Sequence, residues 1–246
     1  MRIKVDKIDI TLPDRIKILL VVGANNSGKT RFLKAIASTN SEVEVEFEGK
    51  VEVEFEGRTY KKHGNLPAYI VFGLDLDWTY HNVEQDSLRL ASLLFRKYIS
   101  DEILYIYKSD DDLRVVLKDF TDIPLNRLGR GYISTAYLMA LYAHFSPSNY
   151  ARFLFLIDSI EQYALDPILT RKFTEFLLSS NAITIASTTC SQMYATILQH
   201  AKSTGREDDV MVLLLNRDKY ALLTVGEALD VYRHDDLVSF AMKIQS

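Results

Sequence analysis

An eight-residue stretch, Gly23-Ala24-Asn25-Asn26-Ser27-Gly28-Lys29-Thr30, constrains this chain more than any other. Its spacing is G-x-x-x-x-G-K-[ST], in which glycines let the backbone curl with its N–H groups pointing inward at an anion. An apolar run, Ile18 to Val22, precedes it, and Arg31 to Ser38 follows with apolar residues at Phe32, Leu33 and Ile36. The first reads as a strand buried on both faces of a parallel sheet, the second as a helix with one apolar face. Strand, glycine loop and helix in that order set a helix N-terminus, with its positive dipole end, at the loop. The stretch therefore reads as a cradle for a nucleoside triphosphate. Lys29 would reach the β- and γ-phosphates and Thr30 would ligate Mg²⁺.

The rest of the chain alternates in the way such a loop requires. Residues 3–10 read as a strand with apolar and charged residues alternating. YIVFGL (69–74), ARFLFLIDS (151–159) and AITIAST (182–188) read as further strands. DSLRLASLLFRKYI (86–99) reads as a helix capped by Asp86, with Leu88, Ala91, Phe95 and Tyr98 on one face. The heptapeptide VEVEFEG occurs twice, at 43–49 and 51–57, and strict alternation makes each copy a strand with a glutamate face. Gly49-Lys50 between the copies suggests a hairpin turn. EILYIYK and RVVLKDF form a second expected hairpin around Ser109-Asp110-Asp111-Asp112. That run reads as a solvated turn, because no Gly or distal Glu completes a calcium loop. Residues 132–145, 167–180 and 191–201 read as helices. The second of them starts at Asp166-Pro167, with Asp as cap and Pro at the first position. A terminal hairpin is expected from VMVLLLNRD and YALLTV (210–225). The expected fold is α/β: a buried, mainly parallel sheet flanked by helices, in one domain over 1–246 with an antiparallel β and helical lobe inserted near 41–124.

Composition narrows the function classes. A net charge of −4 and a pI near 5.8 give no global basic field for nucleic acid. Cys190 is the single cysteine, so no intramolecular disulfide forms. No apolar run approaches the roughly 18 residues of a membrane helix. The expectation is a cytoplasmic protein with no membrane contact.

A phosphate loop needs a carboxylate at the end of a neighbouring strand to hold Mg²⁺. The run FLFLID, residues 153–158, closes on Asp158 and supplies one.

Four segments now stand in a recognisable order: GANNSGKT, LGRG (128–131) with its helix, FLFLIDSIEQ, and ALDP (164–167), followed by a strand ending in STTCS (187–191). In this the chain resembles the ABC-class ATPases, and its loop wording most resembles the SMC-like and OLD-like branch. The resemblance covers roughly 1–40 and 125–200 by motif, and 41–124 by position alone. It implies that Gly23, Ala24, Asn25, Asn26, Ser27, Gly28, Lys29 and Thr30 bind ATP, and that Thr30 and Asp158 hold Mg²⁺. It implies that Gly129, Arg130 and Gly131 form a signature loop acting on the nucleotide of an opposite subunit. Ala164, Leu165 and Asp166 would form the D-loop at the dimer seam. Gln85, between a strand and a helix, stands where the metal-facing Q-loop glutamine is expected.

The chain departs from the family pattern at working positions. Ser159 follows Asp158 where a water-activating glutamate is usual, and a hydroxyl is a poor base at neutral pH. Glu161 matches the second acid of the DEPE-type motif and is the replacement candidate. Gly129 replaces the signature serine, with Arg130 beside it as a donor to phosphate. Cys190 stands at the switch histidine and reads as a small buried side chain.

The resemblance implies an ATP-driven, head-to-tail homodimer that hydrolyses slowly and passes its output to a protein partner. DNA repair or defence, and DNA itself, enter by family analogy alone. A non-hydrolysing nucleotide sensor or structural subunit is the alternative. A GTPase or a small-molecule kinase fits less well: 215–218 lacks the lysine and spacing of a guanine-reading motif, and 40–120 offers no arginine-rich lid.

Overall fold

The computed structural model describes residues 1–109, 112–146, 152–217 and 219–243. Asp110 and Asp111 of the acidic turn, Ala151 ahead of the strand that ends in Asp158, and Asp218 of the terminal hairpin lie outside the described residues. In chain order the elements are β1 (Arg2–Val5), β2 (Ile8–Thr11), β3 (Ile18–Val22), α1 (Lys29–Ala37), β4 (Val51–Phe55), β5 (Arg58–Lys61) and β6 (Ala68–Phe72). Then come α2 (Leu76–Asn82), α3 (Gln85–Tyr98), β7 (Ile103–Lys108), β8 (Leu113–Leu117), β9 (Asp122–Pro124) and α4 (Arg130–Phe145). The last are β10 (Leu154–Asp158), α5 (Pro167–Ser179), β11 (Ile183–Thr188), α6 (Ser191–Ser203), β12 (Val210–Asn216), β13 (Lys219–Thr224), α7 (Val225–His234) and α8 (Leu237–Met242).

Two compact units result. The first holds Met1–Phe72, Ala151–Glu161 and Ser180–Ser246, the second Gly73–Tyr150 and Gln162–Ser179. The first unit contains a six-stranded sheet in the order β13-β12-β3-β11-β10-β6, parallel except for β13. Strands β3, β10 and β11 are buried at every residue, which is why they carry unbroken apolar runs. Their register sets Val22 beside Thr188 and Asp158 beside Phe72. The carboxyl ends of these strands therefore line up on one edge, the side where open α/β sheets bind ligands. A second sheet, β2-β1-β4-β5, is antiparallel throughout. Ile3, Val53, Phe32, Leu33, Leu156 and Ile185 belong to one apolar cluster in this unit. Burying each such side chain stabilises the fold by about 1.5–3 kcal/mol.

The second unit packs α3 against α4 and against the sheet β7-β8-β9. Helix α4 is buried continuously from Ile133 to Ala143, which accounts for its lack of a polar face. Asp166 caps α5 as expected: its Oδ1 accepts from the N–H groups of Ile168 and Leu169, each at 2.8 Å.

The structure corrects several local expectations. Residues 3–10 are not one strand. The chain turns at Asp6, whose φ of 52° is left-handed, a conformation Asp tolerates, so β1 and β2 form a hairpin. The two VEVEFEG copies do not pair with each other. Only the second enters the sheet, between β1 and β5, and the tight turn falls at Glu56-Gly57, with φ of 49° and 74°. A two-residue hairpin of this hand needs left-handed φ at both central positions. In the first copy Val43, Val45 and Phe47 pack on the core without joining a strand ladder. Helix α3 starts at Gln85 with Glu84 before it, so Asp86 lies in the first turn, paired to Arg89 at 3.0 Å, and does not cap. Helices α2, α7 and α8 are additions that the apolar periodicity does not announce. Cys190 is half-buried, not buried.

Candidate functional site

The loop between β3 and α1 is held by backbone conformation. Gly28 has φ of 99°, a conformation that side chains rarely allow, and Asn26 has φ of 62°. A Cβ at Gly23 would lie 2.3 Å from the Leu215 carbonyl oxygen and 2.5 Å from Ser27 Oγ. The Ser27 carbonyl accepts from Arg217 N–H at 2.7 Å, tying the loop to the end of β12. Ser27 Oγ itself is buried and has no hydrogen-bond partner among the described residues.

Lys29 is buried, and its Nζ donates to the carbonyls of Gly23 at 2.7 Å and Ala24 at 2.8 Å. Burial holds the ammonium pKa below its ordinary value, and the charges of Glu161 and then Asp158 oppose that shift. Thr30 Oγ1 donates to Asp158 Oδ2 at 2.9 Å, joining the start of α1 to the end of β10. A hydroxyl and a carboxylate so paired, beside a desolvated lysine and an unsatisfied buried serine hydroxyl in the loop, suit Mg²⁺ and phosphate. Thr30 and Asp158 would hold the metal, and Lys29 with the loop N–H groups would hold the phosphates.

Strand β11 completes this network. Ser187 Oγ donates to Asp158 Oδ1 at 2.6 Å and accepts from Ser159 N–H at 2.8 Å. Thr189 donates to Glu161 Oε1 from both its N–H, at 3.0 Å, and its Oγ1, at 2.8 Å. Sequence reasoning does not single out Ser187 or Thr189. Their one sign is the hydroxyl-rich string STTCS, whose meaning depends on the parallel register. Ser159 has φ of 52°. Beside the loop lies a pocket of about 290 Å³, lined among others by Asp6, Asn26, Gly28, Arg31, Phe32 and Arg217.

The second unit holds the remaining candidates. Gly129 and Arg130 are exposed at the start of α4, and the Arg130 side chain makes no hydrogen bond or ion pair among the described residues. A Cβ at Gly131 would lie 2.6 Å from Leu169 Cδ1 and 3.3 Å from the Ala164 carbonyl oxygen, so Gly131 lies against the start of α5 and the turn before it. Ala164 has φ of 51°, Leu165 is buried, and Asp166 is engaged in capping α5. Gln85 Oε1 accepts from Lys108 N–H at 3.1 Å. Among the described residues no helix is long and apolar enough to cross a membrane.

Solved structures share this fold. The SMC head domain from Thermotoga maritima superposes with a TM-score of 0.53 at 16% identity, over 91% of this chain and 97% of that one. An SMC head bound to the C-winged-helix domain of ScpA gives 0.57 at 14% identity, over 92% and 98%. MJ1267, an ATP-binding cassette of an ABC transporter in its ADP conformation, gives 0.63 at 11% identity, over 100% of both chains. No protein-family description matches this chain, and no curated protein matches it. The fold is that of an ABC-class P-loop ATPase.

Proposed function

We propose that this chain is an ATP-binding, slowly hydrolysing ATPase whose ATP-bound form is a head-to-tail homodimer acting as a switch on a protein partner. The hydrogen bond from Thr30 to Asp158 carries the reading, because it couples the phosphate loop to a strand-end carboxylate of the kind that Mg²⁺ chemistry requires. In the dimer, Gly129, Arg130 and Gly131 of one copy would face the nucleotide of the other. Two sandwiched nucleotides would supply the closing energy, and hydrolysis would reset it.

Gel filtration of the purified chain tests this. With Mg²⁺ and ATP the elution is expected to move from monomer to dimer, and Lys29→Ala is expected to abolish the move. Bound nucleotide with no shift would overturn the dimer. Ser159 and the half-buried Cys190 favour a second reading, a non-hydrolysing sensor, which phosphate release measured over hours separates from the first. Binding of the ATP form to duplex DNA across a salt series tests the DNA role.

A further inference from the structure

We propose that the first VEVEFEG copy, residues 43–49, is a docking edge for a protein partner, to which an extended segment of alternating basic and apolar residues adds as a strand. The chain carries its own control, because an identical string at 51–57 is already paired. In that second copy β4 lies between β1 and β5. Glu52 stands opposite Lys4 on one side and Lys61 on the other, with Lys4 Nζ 3.2 Å from Glu52 Oε1. Glu54 stands opposite Arg2, and Val53 between them stands opposite Ile3. What completes this string is a strand that sets a cation against each glutamate and an apolar side chain against the valine.

The first copy has only part of that environment. Phe47 is buried, and Val43 and Val45 pack on the core, so one face is satisfied. Its ends are pinned. Glu42 N–H donates to Asn40 Oδ1 at 3.0 Å, and Lys50 N–H donates to Asp6 Oδ1 at 2.9 Å. Arg31 donates to the Glu48 carbonyl at 2.5 Å, and Lys62 Nζ to the Phe47 carbonyl at 2.6 Å. Between these pins the N–H groups of Glu44 to Glu48 make no hydrogen bond among the described residues. Glu42, Glu44, Glu46 and Glu48 are exposed, and their carboxylates have no hydrogen bond or ion pair among the described residues.

An extended segment with unpaired backbone groups is a template for another strand. The glutamate face decides which strand. The same segment of a second copy would set glutamate against glutamate, and nucleic acid would bring phosphate to carboxylate, so both are repelled. An alternating basic segment instead repeats the pairing that β1 makes with β4. The inference does not rest on the nucleotide site, and loss of ATP binding would leave it standing.

The test uses the full chain and hydrogen exchange. Each amide from Glu44 to Phe47 follows the same residue as its counterpart from Glu52 to Phe55, so intrinsic rates match and a difference reads pairing alone. In the free chain Glu52–Phe55 are expected to exchange on the order of 10²-fold more slowly than Glu44–Phe47. The probe is the peptide RIKVRIKV, the β1 sequence written twice. At saturation it is expected to slow exchange at Glu44–Phe47 on the order of tenfold. By fluorescence anisotropy it is expected to bind roughly tenfold tighter than RRKKIIVV, which has the same composition without the alternation. Methylating the peptide's backbone nitrogens keeps its charges but removes its donors, and is expected to abolish the protection. The double variant Glu44→Lys, Glu46→Lys is expected to bind about tenfold more weakly while exchange at Glu52–Phe55 stays slow, which shows the fold intact. Equal binding of the two peptides, indifference to N-methylation or to the charge reversal, no protection at Glu44–Phe47, or equal exchange of the two copies in the free chain would each overturn the proposal. Protection of the first copy that rises with chain concentration alone would overturn it in favour of a second copy, whose edge strand β5 carries Arg58 and Lys61.

Discussion

The phosphate loop of the first unit and the Gly129–Gly131 segment of the second are built on opposite principles. Around Gly23–Thr30 three side chains are bonded within the chain, Lys29 to loop carbonyls, Thr30 to Asp158 and Asp158 to Ser187, while Asn25 and Asn26 are exposed. Ser27 Oγ alone among these is buried without a partner. At Gly129–Gly131 the chain starts exposed, and Arg130 reaches nothing among the described residues. One loop is organised before any ligand arrives. In the other, Gly131 packs against Leu169 while Arg130 stays exposed, as the proposed contact with another copy requires.

Gly23→Ala should break the first loop outright. Its Cβ meets a backbone carbonyl, which no rotamer change relieves, so calorimetry should find nucleotide binding lost. Ser187→Ala probes the same network more gently. It strips Asp158 of one donor and leaves the Ser159 N–H unpaired, and should cost about 1–3 kcal/mol in chemical denaturation. Unchanged stability would mean that the network is not pre-organised. Arg130→Ala should leave binding by the single chain intact and weaken ATP-driven dimerisation about tenfold, as loss of a charge-assisted hydrogen bond would. Equal loss in both assays would erase the contrast between the loops.

The smallest effect belongs to pH. Burial holds His144, on α4, below its ordinary pKa; the Glu84 charge opposes the shift and the Lys108 charge adds to it. The folded second unit therefore favours the neutral ring. Its contribution is fully present above about 6.5, the unfolded value, and declines as pH falls below it. The melting temperature should drop between about pH 7 and 5 by less in His144→Gln than in the wild type. Parallel losses would sink the assignment.

The two loops are unequally legible in the sequence. Gly23, Gly28, Lys29 and Thr30 announce themselves because a backbone wrapped on an anion tolerates few residues. Asp158 follows from the all-apolar strand before it, and the α5 cap from Asp166-Pro167. Ser187 and Thr189 stay opaque, since hydroxyls at strand ends are ordinary and only the pairing of β11 with β3 and β10 sets them against the acids. Helix α7 carries a readable sign that periodicity misses: Thr224 and Glu227 form a capping box. Which VEVEFEG copy joins β1 is beyond reach, because identical strings carry identical propensities and only the turn and the route out of α1 tell them apart.

That duplication has a consequence for how the chain can change length. Removing 43–50 leaves Glu42 followed directly by the second copy, so the sequence of β4 and of its turn is untouched while the chain shortens by 8 residues. Recombination between the copies could lengthen or shorten this region in steps of that size. Strand β4 would keep its sequence through each such event, and the variation would fall on the stretch that no ladder holds.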